Sequence, residues 1–357
     1  MTLILSNDDI DRLLSMPDYI DILEEAYVEL ADGRGVIRPR SDSLAPTVRP
    51  DAVYGLKSAD GIAPKFGVGA VRINSDIIAN PVVDGVPRRV KVPAAPNKRW
   101  VGLVLLFSTE TGEPLAIFPD GVMQRMRVGA TSGLGAKYLA RADARRVGLI
   151  GSGWQAGPQL MAVCAVRPVE RVRCFSPSRE KREAFCREWA DRLGIDVAPA
   201  ESAGDAVRGA DIALCATSAL DHVFFEDWIE PGMHLGSIKL PEIVPAAIAR
   251  ADVVFIHNRE DQMPPFATRD LVKPDAMRGK AGAVKAAIDF ERFPTVCDLV
   301  TGKADARTGA DQVTCFLNNT GNGYQFAACG AVAYRRAKAR ALGQDLPTDW
   351  FTEDVHP

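Results

Sequence analysis

The sequence holds few of the residues that build metal or disulfide sites. Its only histidines are His222, His234, His257 and His356, and none stands in an HxxxH or HExxH spacing, so no metal site is expected. The seven cysteines (Cys164, Cys174, Cys186, Cys215, Cys297, Cys315 and Cys329) are odd in number and form no CxxC pair. Most sit in apolar stretches, as buried reduced thiols of a cytoplasmic protein do. No apolar run approaches the ~18 residues of a membrane span, so no membrane partner is expected. The first nine residues turn acidic too early for a secretory leader. Lys and Arg number 43 against 46 Asp and Glu, a net charge of -3, which leaves no basic field to draw nucleic acid. Repeats and low-complexity segments are absent as well.

What remains is an ordinary globular composition, 47% apolar and 25% charged, in a chain of 357 residues. At roughly 100–200 residues per domain this predicts two domains. Residues 7–33 read as two helices, the first capped by Asn7 or Asp8, the second carrying Ile20, Ile22, Leu23, Ala26, Tyr27 and Leu30 until Gly33 stops it. From about 40 to 118 the texture becomes short β-like runs, the clearest being a hairpin of 101–107 and 115–118 around Thr111-Gly-Glu-Pro114. The stretch 75–100, with Arg88, Arg89, Lys91, Lys98 and Arg99, is expected to be a solvated loop. A helix over 122–140, rich in Gly129, Ala130, Gly133, Gly135 and Ala136, suits close packing between two domains. After it, strands near 146–150, 171–175, 195–198, 211–216, 234–238 and 252–256 alternate with helices, the pattern of a parallel, doubly wound sheet. The last apolar helix, about 324–342, is expected to pack back against the first half.

One motif carries chemistry. Arg146-Val-Gly-Leu-Ile-Gly151-Ser152-Gly153-Trp154-Gln155-Ala156 is a strand, then GxGxxA, then a helix. Gly151 permits the tight turn, Gly153 lets backbone approach a pyrophosphate, and Ala156 keeps the helix near the sheet. Following an apolar strand and heading a βαβ series, it marks a Rossmann-type dinucleotide site. The second strand ends in Ser176-Pro-Ser178-Arg179, where NAD sites usually place a carboxylate on the ribose 2′-OH. Hydroxyls and a guanidinium suit a phosphate instead, so NADP(H) is the expected cofactor, with NAD(H) as the alternative. Thr131, Thr217, Ser218, Ser237 and Asn318 complete the cofactor candidates.

The run Arg127-Val-Gly-Ala-Thr-Ser-Gly-Leu-Gly-Ala-Lys-Tyr-Leu-Ala140, leading into the glycine motif, resembles the ornithine cyclodeaminase/μ-crystallin family. Pro39-Arg40 and Thr111-Gly-Glu-Pro-Leu115 share the likeness, which follows the same order through nearly the whole chain. The resemblance implies a Rossmann domain, here 125–323 with its linking helix, and an α/β substrate-binding and dimerisation domain built from 1–124 and 324–357. It also implies a homodimer and a small carboxylate substrate, an imino or amino acid. Carried over by position, Arg40, Lys65 and Arg127 match the family's substrate-carboxylate residues, with Lys57 as the rival to Lys65 for the role of proton relay. A paired guanidinium fixes a carboxylate in orientation while a hydride crosses at Cα, and a lysine beside it can carry a proton.

The sequence also departs from the family. Cyclodeaminases carry an aspartate shortly after the strand that holds the equivalent of His234. Here His234-Leu-Gly-Ser-Ile-Lys239-Leu-Pro-Glu242 is shorter, and Lys239 stands near the place of that carboxylate, while Glu242 matches a later family glutamate. Phe316-Leu-Asn-Asn-Thr-Gly-Asn-Gly323 likewise replaces a shorter turn. Without the acid, ring closure with ammonia loss lacks a proton carrier, so reduction of an imino acid, or its reverse, is the expected chemistry. Two alternatives stand beside it: a cyclodeaminase-type lyase using bound NAD, and a non-enzymatic NADPH-dependent ligand binder like μ-crystallin.

Overall fold

The computed structural model describes residues 1–83, 85–259, 266–268, 271 and 280–355, with only the backbone given for Val83, Val86 and Pro87. His356 lies outside the described residues. The chain opens with strand β1 (Thr2–Ile4) and helices α1 (Asn7–Leu13) and α2 (Met16–Ala31). Both helices start on capping boxes, Ser6 with Asp9 and Ser15 with Asp18, which satisfy the free N–H groups of their first turns. Then come β2 (Val36–Ile37), β3 (Ser41–Pro46), β4 (Ala52–Ala63), β5 (Val68–Ala79), β6 (Val82–Val83), β7 (Val86–Pro87), β8 (Val90–Val92), β9 (Val101–Ser108) and β10 (Pro114–Pro119). Helix α3 (Gly121–Leu139) leads into β11 (Arg146–Ile150), α4 (Ala156–Val166), β12 (Arg171–Phe175), α5 (Arg179–Leu193), β13 (Asp196–Pro199), α6 (Ala203–Val207) and β14 (Ile212–Cys215). The chain closes with β15 (His234–Ser237), α7 (Pro245–Ala249), β16 (Val253–Ile256), β17 (Phe266–Ala267), α8 (Ala281–Ala287), α9 (Val296–Val300), β18 (Thr314–Leu317), α10 (Gly323–Ala339) and β19 (Gln344–Leu346).

The strands form two large sheets. The nucleotide-type sheet has the order β13-β12-β11-β14-β15-β18-β16 and is parallel throughout. Its strand order reverses between β11 and β14, the crevice where doubly wound sheets bind ligands. The other sheet is mixed, in the order β17-β3-β4-β5-β9-β10-β1-β19, with β2 beside β4 and β8 beside β5. β17 belongs to this second sheet although it lies inside the stretch 125–323. Strand β18 escapes the sequence reading: Thr314–Leu317 is a short, wholly buried run, and periodicity does not separate such a strand from a helix segment.

The stretch 75–100 is a solvated loop, as expected, only toward its end, where residues 96–100 are exposed. β5 continues to Ala79, alternating buried and half-buried residues, and β8 pairs with it. Arg88 then forms an antiparallel bridge with Ala219, beyond β14 of the other sheet. Of the cations that suggested solvent, Lys91, Lys98 and Arg99 are exposed while Arg88 and Arg89 are half-buried, and Asp76 is buried on the inner face of β5.

Close backbone contacts join the two halves. Helix α3 lies against α4, and a methyl at Gly129 would run into the Pro158 carbonyl, while one at Gly135 would strike the Phe316 ring. Helix α10 returns to the mixed sheet, as expected, so tightly that a methyl at Gly61 of β4 would collide with the backbone of Tyr324. Backbone has no rotamer by which to yield. Gly61→Ala is therefore expected to cost ~1–3 kcal/mol and lower the thermal unfolding midpoint by several degrees. An unchanged midpoint would show that α10 slides without penalty.

Candidate active site

The inner face of the mixed sheet carries an unusual row of ionic side chains. Antiparallel register aligns Asp42 of β3, Lys57 of β4, Asn74 of β5 and Gly102 of β9 across four strands. Arg72 and Asp76 flank Asn74 on the same face of β5, because side chains two residues apart share a face. Charge inside a fold is costly unless paired, and each of these groups has partners. The Asp120 carboxylate, just before α3, accepts from Arg72 Nε (2.8 Å) and Asn74 Nδ2 (2.9 Å). Only glycine fits at 102, where a methyl would overlap Asp120. Lys57 Nζ lies 2.5 Å from Asp76 Oδ2, and Lys91 Nζ lies 3.0 Å from Asp76 Oδ1. Burial pushes the Lys57 ammonium down; Asp76 opposes this, Arg89 and Lys91 add to it, and the result is about 8. Burial alone would raise the Asp76 carboxyl, but the two lysines outweigh it and hold it below its ordinary value.

Arg127 enters this site from the first half of α3. Its guanidinium is buried, and among the described residues it has no carboxylate within ion-pair distance. Burial, with the neighbouring Arg72, pushes its pKa down. Both guanidinium groups lie over the Phe326 ring, at 5.4 Å for Arg72 and 5.2 Å for Arg127. Arg127 Nη1 donates to Gln325 Oε1 at 2.8 Å, while Nε has no partner. A side chain at Gly321 would overlap the guanidinium.

Gln325 is the fixed point. Its Oε1 accepts from Arg127 and from the Asn322 backbone N–H (3.3 Å), and its Nε2 donates to Tyr27 (2.9 Å) and Thr131 (2.8 Å). These four bonds use the whole capacity of an amide. The chain of donors continues with a definite direction. The Thr320 carbonyl can only accept, so His257 Nδ1 carries the proton; burial pushes the His257 pKa down to about 4 and keeps the ring neutral. His257 Nε2 then accepts from the Tyr27 hydroxyl at 2.8 Å. Thr131 donates in turn to the Arg127 carbonyl. The pattern Asn322-x-x-Gln325 is a capping-box signature at the start of α10, a signal that was present in the sequence and went unused.

The dinucleotide turn has the form its motif requires. Gly151 adopts φ +118°, with Ala216 packed where a side chain would go, whereas a methyl at Gly153 would meet nothing within 4 Å. Open space above Gly153, at the N-terminal end of the 11-residue α4, suits a bound pyrophosphate. Ala156 is fully buried. Gln155 Nε2 bonds Gln124 Oε1 (2.9 Å), and the exposed Trp154 stacks under Arg125 at 4.2 Å, so α3 links this turn to Arg127. Ser152 Oγ and Ser176 Oγ lie 2.7 Å apart. Ser178 caps α5, and Arg179, 82% exposed, pairs with Glu183. Thr217 donates through N and Oγ1 to Glu242, which also accepts from the backbone of Ile238 and Lys239 and so clasps the loops after β14 and β15. Ser218 lies beside Arg88. Ser237 and Asn318 are buried, with Asn318 Nδ2 spent on Val128 and Ser132.

The carboxylate candidates are only partly brought together. Arg127 and Lys57 lie on the inner face of the site. Arg40 spends Nε and Nη2 on Asp42, at 2.7 and 2.9 Å. Lys65 is not brought to the group: it sits on an exposed turn after β4, paired with Glu25 at 2.8 Å. Eight residues separate Lys57 from Lys65, an even number that would put both on one face of a continuing strand, but β4 ends at Ala63. Gln325→Glu would give Arg127 a resident carboxylate while keeping a residue that serves a capping box. Affinity for a carboxylate ligand should then fall about tenfold or more in a folded protein. Unchanged affinity in titration calorimetry would contradict the assignment of Arg127.

Comparison with known proteins bears on the family and the fold. The model of the ornithine cyclodeaminase/mu-crystallin family matches residues 82–338. The chain is 30% identical over 350 residues to a Delta(1)-pyrroline-2-carboxylate reductase of Bacillus cereus, covering 96% of this chain and 99% of that one. It is 26% identical over 356 residues to an alanine dehydrogenase of Archaeoglobus fulgidus, covering 97% and 98%. Its fold is similar to that of the Thermococcus litoralis Delta(1)-pyrroline-2-carboxylate reductase solved with NADH and L-proline, with a TM-score of 0.77, 24% identity, and coverage of 97% of this chain and 100% of that chain. The chain thus belongs to the ornithine cyclodeaminase/mu-crystallin family.

Proposed function

We propose that this protein is an NAD(P)H-dependent oxidoreductase that reduces the C=N bond of a small α-imino acid, or oxidises the corresponding amino acid. The observation that carries this reading is the buried Arg127 guanidinium, held in place and lacking a carboxylate partner among the described residues. Such a group is completed by a ligand carboxylate, which it would orient while the substrate carbon meets the cofactor. The nicotinamide, when bound, supplies or takes the hydride. Lys57 Nζ, with its pKa near 8, holds a proton at neutral pH and releases it readily, which suits exchange with the substrate nitrogen. The Bacillus cereus relative named for pyrroline-2-carboxylate reduction supports the same reading.

The lyase alternative is weaker because of Lys239. Its ammonium donates to the carbonyls of Thr217 and Ala219, at 3.3 and 2.7 Å, so it holds this loop in a form that offers no carboxylate. Glu242 does not replace the absent acid, since both its oxygens are taken by N–H and O–H donors.

For the cofactor we favour NADP(H), because Ser176, Ser178 and Arg179 stand directly after β12, where an NAD site usually has a carboxylate. Arg179 would exchange its exposed Glu183 partner for a 2′-phosphate. We further infer a domain division of 1–124 with 324–357 against 125–323, with β17 reaching across to the first. A homodimer through the mixed sheet would cover Leu56, Ile62, Val101 and Leu103, which are exposed on its outer face. Seven free thiols fit a reducing, cytoplasmic setting.

The test is an assay of α-keto acids with ammonia or methylamine, followed by the reduced-nicotinamide absorbance with NADPH and with NADH, beside ornithine with catalytic cofactor. Cofactor oxidation that needs both keto acid and amine is expected. The NADPH preference should drop about tenfold in Arg179→Ala. Proline and ammonia formed from ornithine without net cofactor change would replace the reading with the lyase, and cofactor binding without turnover would replace it with a ligand carrier.

A further inference from the structure

One carboxylate on the inner face of the mixed sheet is shared by two lysines that come from different strands. Asp76 lies where the strand beside β5 changes on one edge. Pairing with β9 ends at Ser75, and pairing with β8 begins at Ile77. On the other edge β4 sets Gly55 opposite Asp76 and Lys57 opposite Asn74. Lys57 therefore stands diagonally to Asp76 from one side, and Lys91, opposite Ile78, does so from the other. A methyl at Gly55 would lie 3.6 Å from Lys57 Cε, so the lysine stem passes over the glycine toward Asp76. Lys57 Nζ meets Asp76 Oδ2 at 2.5 Å, and both side chains are buried. Lys91 is exposed, and its Nζ lies 3.0 Å from Oδ1 as a charge without an aligned hydrogen bond.

A buried ion pair needs one cation for one anion, and a second cation leaves net positive charge beside Lys57. The other groups that face Lys57 among the described residues do not cancel it. Asp42, opposite Lys57 on β3, is engaged by Arg40, and Asn74 on β5 is neutral and bonds Asp120. Gly55 and Ala59, on the same face of β4, carry no charge, and Arg89 precedes β8. Burial pushes the Lys57 ammonium down to about 8; Asp76 opposes burial, while Arg89 and Lys91 reinforce it. A pair that served the fold alone would gain nothing from Lys91, whose charge works against the protonated form of its neighbour. A proton carrier does gain, because it must hold a proton near neutral pH and part with it in the reaction.

We propose that Asp76 and Lys91 are positioning residues for proton transfer: Asp76 fixes the Lys57 ammonium in place, and Lys91, by sharing the carboxylate, makes it the readier donor. This rests on the reading of Lys57 as the group that exchanges a proton with the substrate nitrogen. In the reduction, Lys57 Nζ gives one proton to that nitrogen while a hydride adds to carbon, and the C=N π pair forms the new N–H bond. The neutral amine then recovers a proton from water.

The test reads Lys57 itself and then the reaction, both in the full-length protein. Protein labelled with carbon-13 at the lysine ε-carbons is titrated by NMR, the Lys57 signal being assigned by its loss in Lys57→Arg. Lys91→Gln should lower the acid-dissociation constant of Lys57 about threefold or more, and Asp76→Asn should raise it about tenfold or more. Lys91→Arg, which keeps the charge, should leave the constant within about twofold of the parent. Reduction needs Lys57 protonated, so kcat/KM falls as pH rises through its pKa. With one keto acid and amine pair and NADPH throughout, that fall should move to higher pH in Lys91→Gln by the same factor. Lys91 is exposed, so its variants carry the test should Asp76→Asn not fold. A Lys57 constant unchanged in Lys91→Gln, or changed equally in Lys91→Arg, overturns the proposal and leaves the proton role of Lys57 intact. A constant that moves while the kcat/KM profile does not overturns the proposal together with the proton role beneath it.

Discussion

The structure around the site depends on keeping one guanidinium, that of Arg127, buried without a carboxylate partner among the described residues. Burying a charge costs several kcal/mol unless other groups replace its water, and a resident acid would be the ordinary solution for Arg127. The fold instead gives it one amide oxygen and an aromatic face. The surrounding residues follow from that choice. Gln325 is saturated by four hydrogen bonds and does not turn away; Tyr27 and a neutral His257 hold its far side; Gly321 leaves the guanidinium its room. Desolvation and orientation of the guanidinium are complete without a ligand, so on the proposed reading a substrate carboxylate would meet a preorganised partner.

The same helix that carries Arg127 carries the link to the nucleotide half. Gln124 bonds Gln155 of the dinucleotide turn, Arg125 stacks on Trp154, and Gly129 and Gly135 lie against α4 and β18. A displacement of α3 would thus move the glycine-rich turn and the Arg127 guanidinium together. At its start, Asp120 ties α3 to Arg72 and Asn74 of the mixed sheet. The two sheets therefore meet through ionic and backbone contacts that admit little sliding, which fits a reaction in which two bound molecules must keep a fixed separation.

The dinucleotide turn was legible in the sequence because its requirements are local: Gly151, Gly153 and Ala156 each answer to a backbone need within a few residues. Helices α2, α3 and α10 were equally plain from periodicity and small-residue content. The carboxylate site was legible only in part. Choosing Lys57 over Lys65 requires knowing where β4 ends and which strands flank it, and that register depends on β3, β5 and β9 together. The ionic row of Arg72, Asn74, Asp76 and Asp120 carries no local sequence signal for the same reason. Arg88 and Arg89 looked like solvated charge, since nothing local reveals a bridge to Ala219, 131 residues onward. Thr131, Ser237 and Asn318, cofactor candidates in the sequence, have buried side chains.

The central claim is that Arg127, unmatched by any carboxylate among the described residues, is kept so for the sake of a ligand, at the expense of the fold. Replacing it with methionine, of similar length and without charge, separates the two roles. The account predicts that Arg127→Met raises the thermal unfolding midpoint of the ligand-free protein, because hydrophobic replacement of buried ionic groups is neutral or stabilising by ~1–4 kcal/mol. It also predicts that binding of every α-keto acid is lost while cofactor binding persists. A midpoint lowered by several degrees, or carboxylate affinity that survives the substitution, would contradict the account.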